Sequence, residues 1–384
     1  MRLSDRLDRL PVSGIRKMFS LAEKYDDTIN LCIGEPGFDT PSHIIEKGCW
    51  ALQNGYTKYV ANAGIMPLRE ALADKMNCDN GFNVKAENIM VNFGAGQALM
   101  ETMQVILNPG DDILVPNPCF SNYFGYIALA GANAITVPTY EKDHFHIKAE
   151  ILEKYITEKT KAIFINTPCN PTGAVTPLED LEKIAELAKK YDLIIVSDEP
   201  YEKIIFDNNK HVSIGSLPGM FERTITVNSF SKTYAMTGWR LGYAVAPAEV
   251  IKAMIQVQGP LTANVTAAMQ FGGIAALTES QSCVNEMVQE YLKRRNILVK
   301  GLNEIKGISC LMPEGAFYAF ANIQDVGMSA KDVAIKLLDE VQVVTTPGDA
   351  FGPAGEGFLR FSFAASEDNI VAALERMKNC LGEK

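Results

Sequence analysis

This 384-residue chain has no surplus of positive charge: 36 lysines and arginines stand against 46 acidic residues, a formal net charge of −10. Nucleic acid and anionic membrane surfaces both reward basic patches, so neither is favoured as a partner, and a small molecule fits better. No apolar run approaches the length of a membrane span, and the opening MRLSDRLDRL is charged where a signal peptide is apolar. A cytoplasmic protein is expected. The eight cysteines contain no C-x-x-C pair, which leaves neither a disulfide framework nor a zinc knuckle. Of four histidines, His144 and His146 form an H-x-H, but no carboxylate or cysteine cluster at ligand spacing completes a metal site. Internal repeats and low-complexity stretches are also lacking.

What is present is alternation. Between residues 89 and 247 the short apolar runs IMVNF, DILVP, AITVP, KAIFIN, LIIVSD, TITVN and GYAVAP are separated by helical patterns. Such a chain predicts an α/β fold with a seven-stranded, mostly parallel sheet covered on both faces. LEDLEKIAELAKKYD, residues 178–192, has apolar residues at helical spacing and serves as a crossover helix entered at Thr176 and Pro177. Further on, helices near 267–278 and 281–305 lead to a smaller α+β segment with strands AFYAFANI, VQVVTT and FLRFSF, helix AKDVAIKLLDE, and a last helix from Glu367. The expected division is an arm over 1–40 belonging with the smaller domain, a large domain over 41–280 and a small domain over 281–384. The arm is expected to be irregular, in front of a helix capped by Thr40 and Pro41.

Polar residues follow directly after three of the apolar runs, where open α/β sheets bind their ligands. The densest set is VNSFSKTYAMTGWRLGY, residues 227–243, with Ser229, Ser231, Lys232 and Arg240. Hydroxyls and a guanidinium at a strand end can hold a phosphate, and a lysine in such surroundings can lose its proton and become a nucleophile. Ser229 to Lys232 also spell S-x-x-K, the motif of serine acyl-enzymes, but the S-D-N and K-T-G that accompany it do not occur. Gly94, Ala95 and Gly96 open a helix after IMVNF, so backbone NH groups and the helix dipole favour an anion there. The same turn is half a dinucleotide fingerprint, whose third glycine is here Leu99.

SFSKTYAMTGWRLG, residues 229–242, resembles the Schiff-base segment of the class I/II aminotransferases, pyridoxal phosphate enzymes of fold type I. SDEPY and NTPCNPTG resemble two further motifs of that family, and matches run in family order from CIGEPGF to FLRFSF. The resemblance implies a pyridoxal 5′-phosphate site with Lys232 as the covalent and proton-transferring amine. Asp198 would hold the pyridine nitrogen protonated, so that the ring accepts the electrons left at the substrate Cα. Asn170 and Tyr201 would bond the phenolic oxygen, Phe120 would stack on the ring, and Gly94, Ala95, Gly96, Ser229, Ser231 and Arg240 would form the phosphate cup. Tyr59 would reach the phosphate of a neighbouring subunit, which makes a homodimer the expected unit. Arg360 would clamp the substrate α-carboxylate with Gly34 and Asn170 beside it, and Ile15 would close over the substrate.

The implied reaction moves the α-amino group of an amino acid to a 2-oxo acid such as 2-oxoglutarate. Aromatic and acidic donors are favoured, with Arg16 and Lys58 as candidates for a second cation and Phe38, Phe317 and Tyr318 for an aromatic pocket. Two rival readings are a C–S β-lyase, sharing Lys232, Asp198 and Arg360, and a non-catalytic sensor that binds the same cofactor.

Overall fold

The structure, a computed structural model, describes residues 3–11 and 14–382, without the side chains of Asp5, Arg6, Ile15 and Arg16. All seven expected runs form strands of one sheet, ordered Ile89–Asn92, Gly242–Val245, Thr224–Ser229, Ile194–Asp198, Thr160–Asn166, Asp112–Asn117, Asn133–Pro138. Six strands point the same way, and Gly242–Val245 runs antiparallel to both neighbours. The central strands are buried on both faces, which is why they are apolar without alternation. Their side chains still alternate: Ile113, Val115, Phe164 and Val196 enter the core on one face, and Leu114, Ile163, Ile165 and Ile195 enter the core on the other. The amphipathic crossover helix Leu178–Lys190 covers the second face with Leu181, Ile184 and Ala188, its first-turn acids and last-turn lysines matching the helix dipole.

The remaining chain builds a four-stranded antiparallel sheet ordered Thr346–Pro347, Phe358–Ser362, Tyr318–Asn322, Ser309–Cys310. Helices Ser282–Asn303, Ala330–Val341 and Glu367–Leu381 accompany it. Leu298, Leu337, Phe361 and Ile370 share one core there with Met18, Ala22 and Leu31 from the first forty residues.

Three local expectations are corrected. The stretch 3–40 is not uniformly irregular, because Gly14–Ala22 is helical and Ile29–Asn30 pairs in parallel with Val343–Val344. VQVVTT is not one strand: Val343–Val344 joins that pair while Thr346–Pro347 joins the antiparallel sheet, and between them the Thr345 hydroxyl donates to the Arg360 carbonyl at 2.8 Å. Thr40 does not cap helix Ser42–Gln53, whose N-cap is Pro41 without a side-chain bond. Its hydroxyl instead donates to the Ala235 carbonyl at 2.6 Å and accepts from the Trp239 indole at 3.1 Å, tying the segment to the lysine loop.

Candidate active site

Five strands pointing one way end at polar residues: Asn92, Asn117, Asn166, Asp198 and Ser229. Register places Asn166 beside Asp198 and Ser229 beside Gly242, so the polar ends align along the carboxyl edge of the sheet. A cavity of about 320 Å³ opens above that edge. Its lining includes Gly34, Ala95, Gly96, Phe120, Asn170, Asp198, Tyr201, Ser229, Ser231, Lys232, Arg240 and Arg360. Gly94 begins the same helix as Ala95 but is not itself in the lining.

Lys232 lies on the one-turn helix Phe230–Thr233, whose N-cap Ser229 accepts from the Ser231 NH at 3.0 Å. The amine donates to the Gly34 carbonyl at 2.6 Å. Burial brings its pKa down to about 8, the nearby Glu35 opposing and the cations Arg240 and Arg360 assisting. About a tenth of the amine is therefore neutral at pH 7, far more than for an ordinary lysine, as a nucleophile or base requires.

Asp198 is buried. Burial pushes its carboxyl up to about 7, against the hydrogen bond that the Tyr123 hydroxyl donates to Oδ2 at 2.6 Å. The other oxygen, Oδ1, has no partner. An orphaned carboxylate oxygen is costly inside a protein unless a ligand meets it.

Arg360 is 1% exposed, in the strand Phe358–Ser362. Nη1 donates to Asn170 Oδ1 at 2.9 Å, Nη2 donates to the Cys32 carbonyl, and Nε has no partner. Five N–H groups less two bonds leave donors for an incoming carboxylate. The guanidinium stands 4.4 Å from the Tyr318 ring centre and 4.7 Å from that of Phe351. Asn170 is fixed by its own NH donating to Asn166 Oδ1 at 2.9 Å.

On the anion side, the Ser229 and Ser231 hydroxyls lie 2.8 Å apart, and Arg240 adopts φ +51 with Nη1 donating to the Thr237 carbonyl at 2.9 Å. Gly94 has φ +74, and a Cβ there would stand 2.5 Å from Arg240 Nη2. Glycine is what lets the guanidinium approach the helix N-terminus.

Other expected residues fall elsewhere. Tyr59 is 89% exposed and lies outside this cavity. The side chains of Ile15 and Arg16 lie outside the described residues. Lys58 does not line the cavity, Phe317 is core, and Phe38 packs against the Arg294 guanidinium at 5.0 Å; of the aromatic candidates only Tyr318 faces the cavity. His146 pairs with Glu314 at 2.8 Å.

Tyr123, Asn166 and Tyr126 are cavity residues to which the motifs assign no role, although Asn166 is the first residue of NTPCNPTG. The only trace of the first and last was their i, i+3 spacing after Phe120. Among the described residues, Glu199, Glu202 and His211 bring ligand atoms within 4.8 Å of one another. Their oxygens are already met: Lys75 pairs with Glu202, Asn80 donates to it at 2.6 Å, and Ser197 and Ser213 donate to Glu199 at 2.7 and 2.8 Å. Burial opposes ionisation of Glu202, but Lys75 and His211 prevail and hold it down to about 2.

Comparison with known proteins agrees with this geometry. The pattern described as "Aminotransferase class I and II" matches residues 26–377. The chain is 46% identical to an aspartate aminotransferase of Pyrococcus abyssi, over 100% of this chain and 99% of the relative. It is 45% identical to aromatic-amino-acid aminotransferase 2 of Thermococcus litoralis, again over 100% and 99%. The solved aspartate aminotransferase of Thermus thermophilus with maleate superposes with a TM-score of 0.94 at 39% identity, covering 99% of this chain and 100% of that one. The chain therefore belongs to the class I and II aminotransferases, amino-acid transferases of fold type I that depend on pyridoxal 5′-phosphate.

Proposed function

We propose that the cavity at the sheet edge is the cofactor and substrate site, and that the enzyme transfers the amino group of an aromatic or acidic amino acid to a 2-oxo acid such as 2-oxoglutarate. One observation carries the reading: Lys232, Asp198, whose Oδ1 is buried without a partner, and the buried Arg360 line a single cavity. The residues fit pyridoxal phosphate. Asp198 Oδ1 matches a protonated ring nitrogen, Phe120 offers a flat apolar face, and the helix start at Gly94, Ala95 and Gly96 with Ser229, Ser231 and Arg240 matches a phosphate.

When bound, the cofactor supplies an aldehyde that condenses with amines and a ring that accepts the electron pair left as a Cα proton departs. The chain supplies the rest. Arg360, with Asn170 and the Gly34 backbone beside it, would orient the α-carboxylate; Asp198 would hold a proton at the ring nitrogen; Tyr201 and Asn170 would meet the phenolic oxygen. Lys232 Nζ takes and returns the Cα proton. Residues 41–280 would form the cofactor-holding domain, with 281–384 and the arm 1–40 as the second. The exposed Tyr59 supports a homodimer in which it reaches the neighbouring subunit's phosphate, and a cytoplasmic location accords with the acidic, amino-acid-handling chain.

Tyr318 in the lining and the relative named for aromatic amino acids support aromatic donors, and the relative named for aspartate supports acidic ones. A panel of donors and oxo acids tests the assignment. Turnover with aromatic and acidic donors and 2-oxoglutarate is expected, whereas pyruvate and ammonia from cystathionine without any oxo acid would favour a β-lyase and overturn it.

A further inference from the structure

Tyr318 stands where the two halves of the proposed site meet. Its strand, Tyr318–Asn322, pairs antiparallel with Phe358–Ser362, which carries Arg360. The side chain is 1% exposed, yet it lines the cavity. Its hydroxyl is 2.9 Å from the Tyr201 hydroxyl, and its ring centre is 4.4 Å from the Arg360 guanidinium carbon. The same hydroxyl presses on the arm segment: a Cβ at Gly34 would collide with it, so the residue whose carbonyl holds Lys232 has room only for hydrogen there.

From this juxtaposition we propose that Tyr318 is a positioning residue, which donates its hydroxyl to Tyr201 and offers its ring face to Arg360, so that one side chain keeps the cofactor-facing and carboxylate-facing groups in register. The role rests on the reading that Tyr201 meets the phenolic oxygen of pyridoxal phosphate. A phenol has one proton. If Tyr201 donates that proton into the cavity, it must accept from Tyr318. Chained hydroxyls polarise one another, so Tyr201 becomes a stronger donor than it would be alone. The ring does a second job through cation–π attraction, which is strong where both groups are desolvated. Burial keeps both phenols protonated, as a chain of donors requires.

The two jobs separate by mutation. Tyr318→Phe keeps the ring and removes the hydroxyl. KM for the amino donor should stay within about twofold while kcat falls roughly tenfold. Because Tyr201 then stabilises the phenolic oxygen less, the pH midpoint of the bound cofactor's absorbance should move up by about 0.5 to 1 unit. Tyr318→Leu removes both, and KM should also rise roughly tenfold. In a Tyr201→Phe background the Tyr318→Phe change should add less than about twofold to the loss in kcat, because its effect passes through a group no longer there.

An unmoved or lowered midpoint in Tyr318→Phe, or a full kcat loss in the Tyr201→Phe background, overturns the proposal. If wild-type protein with added pyridoxal phosphate develops no visible absorbance, the underlying cofactor reading fails first. If wild type binds and only the Tyr318 predictions fail, the cofactor reading survives without this residue.

Discussion

The Tyr123 hydroxyl donates to Asp198 Oδ2 at 2.6 Å and leaves Oδ1 buried without a partner. The protein thus carries an unmet carboxylate, and stability should register it. The folded-state pKa of about 7 lies above the usual value of an aspartate. For an acid raised in this way the folded form holds the extra proton, so stability is full below about pH 4 and is lost as pH rises through 7. Cofactor-free Asp198→Asn should therefore be the more stable protein at pH 8, by at most about 4 kcal/mol at roughly 1.4 kcal/mol per pKa unit. The gap should close toward pH 4. Denaturant melts of both proteins at pH 5 and pH 8 measure it, and the variant should be nearly inactive.

Lys232→Ala should lower kcat by at least about a thousandfold, since both the covalent partner and the proton carrier are removed. Borohydride reduction followed by mass spectrometry should attach the cofactor to Lys232 in wild type and nowhere in the variant.

Arg360→Lys retains a charge but loses the planar pair of donors, so KM for the amino donor should rise roughly 10- to 100-fold. Cofactor affinity, measured by fluorescence titration, should change by less than about threefold, because the guanidinium meets Asn170, Cys32 and two aromatic rings rather than the anion cup.

Gly94→Ala places a Cβ 2.5 Å from Arg240 Nη2 at a residue with φ +74. Pyridoxal phosphate should bind about tenfold more weakly, with kcat recovered at saturating cofactor. An unchanged dissociation constant would remove Gly94 from the phosphate cup.

The seven strands of the main sheet were legible because each is a short apolar run, five of them ending at a polar residue, and burial of the central strands on both faces leaves no competing pattern. Lys232, Asp198, Asn170 and Arg360 were legible because their chemistry restricts the residue type. Tyr123 was not, since its role arises only when helix Asn122–Leu129 folds over a strand 75 residues away. Tyr201 and Tyr318 are 117 residues apart, and local spacing says nothing of their meeting. The split of VQVVTT and the turn of the Thr40 hydroxyl toward the lysine loop belong to the same class: short segments whose partners are tertiary, so propensity cannot choose between them.

The antiparallel course of Gly242–Val245 has a consequence for how Lys232 and Arg240 stay together. A parallel successor to Thr224–Ser229 would require a crossover along a face of the sheet and a restart at its far end. The reversal instead keeps residues 230–241 as a closed loop, anchored at Ser229 and Gly242, which face each other in register. With both loop ends fixed by a strand pair, the sheet's own hydrogen bonds limit how far the backbone of lysine and arginine can move apart.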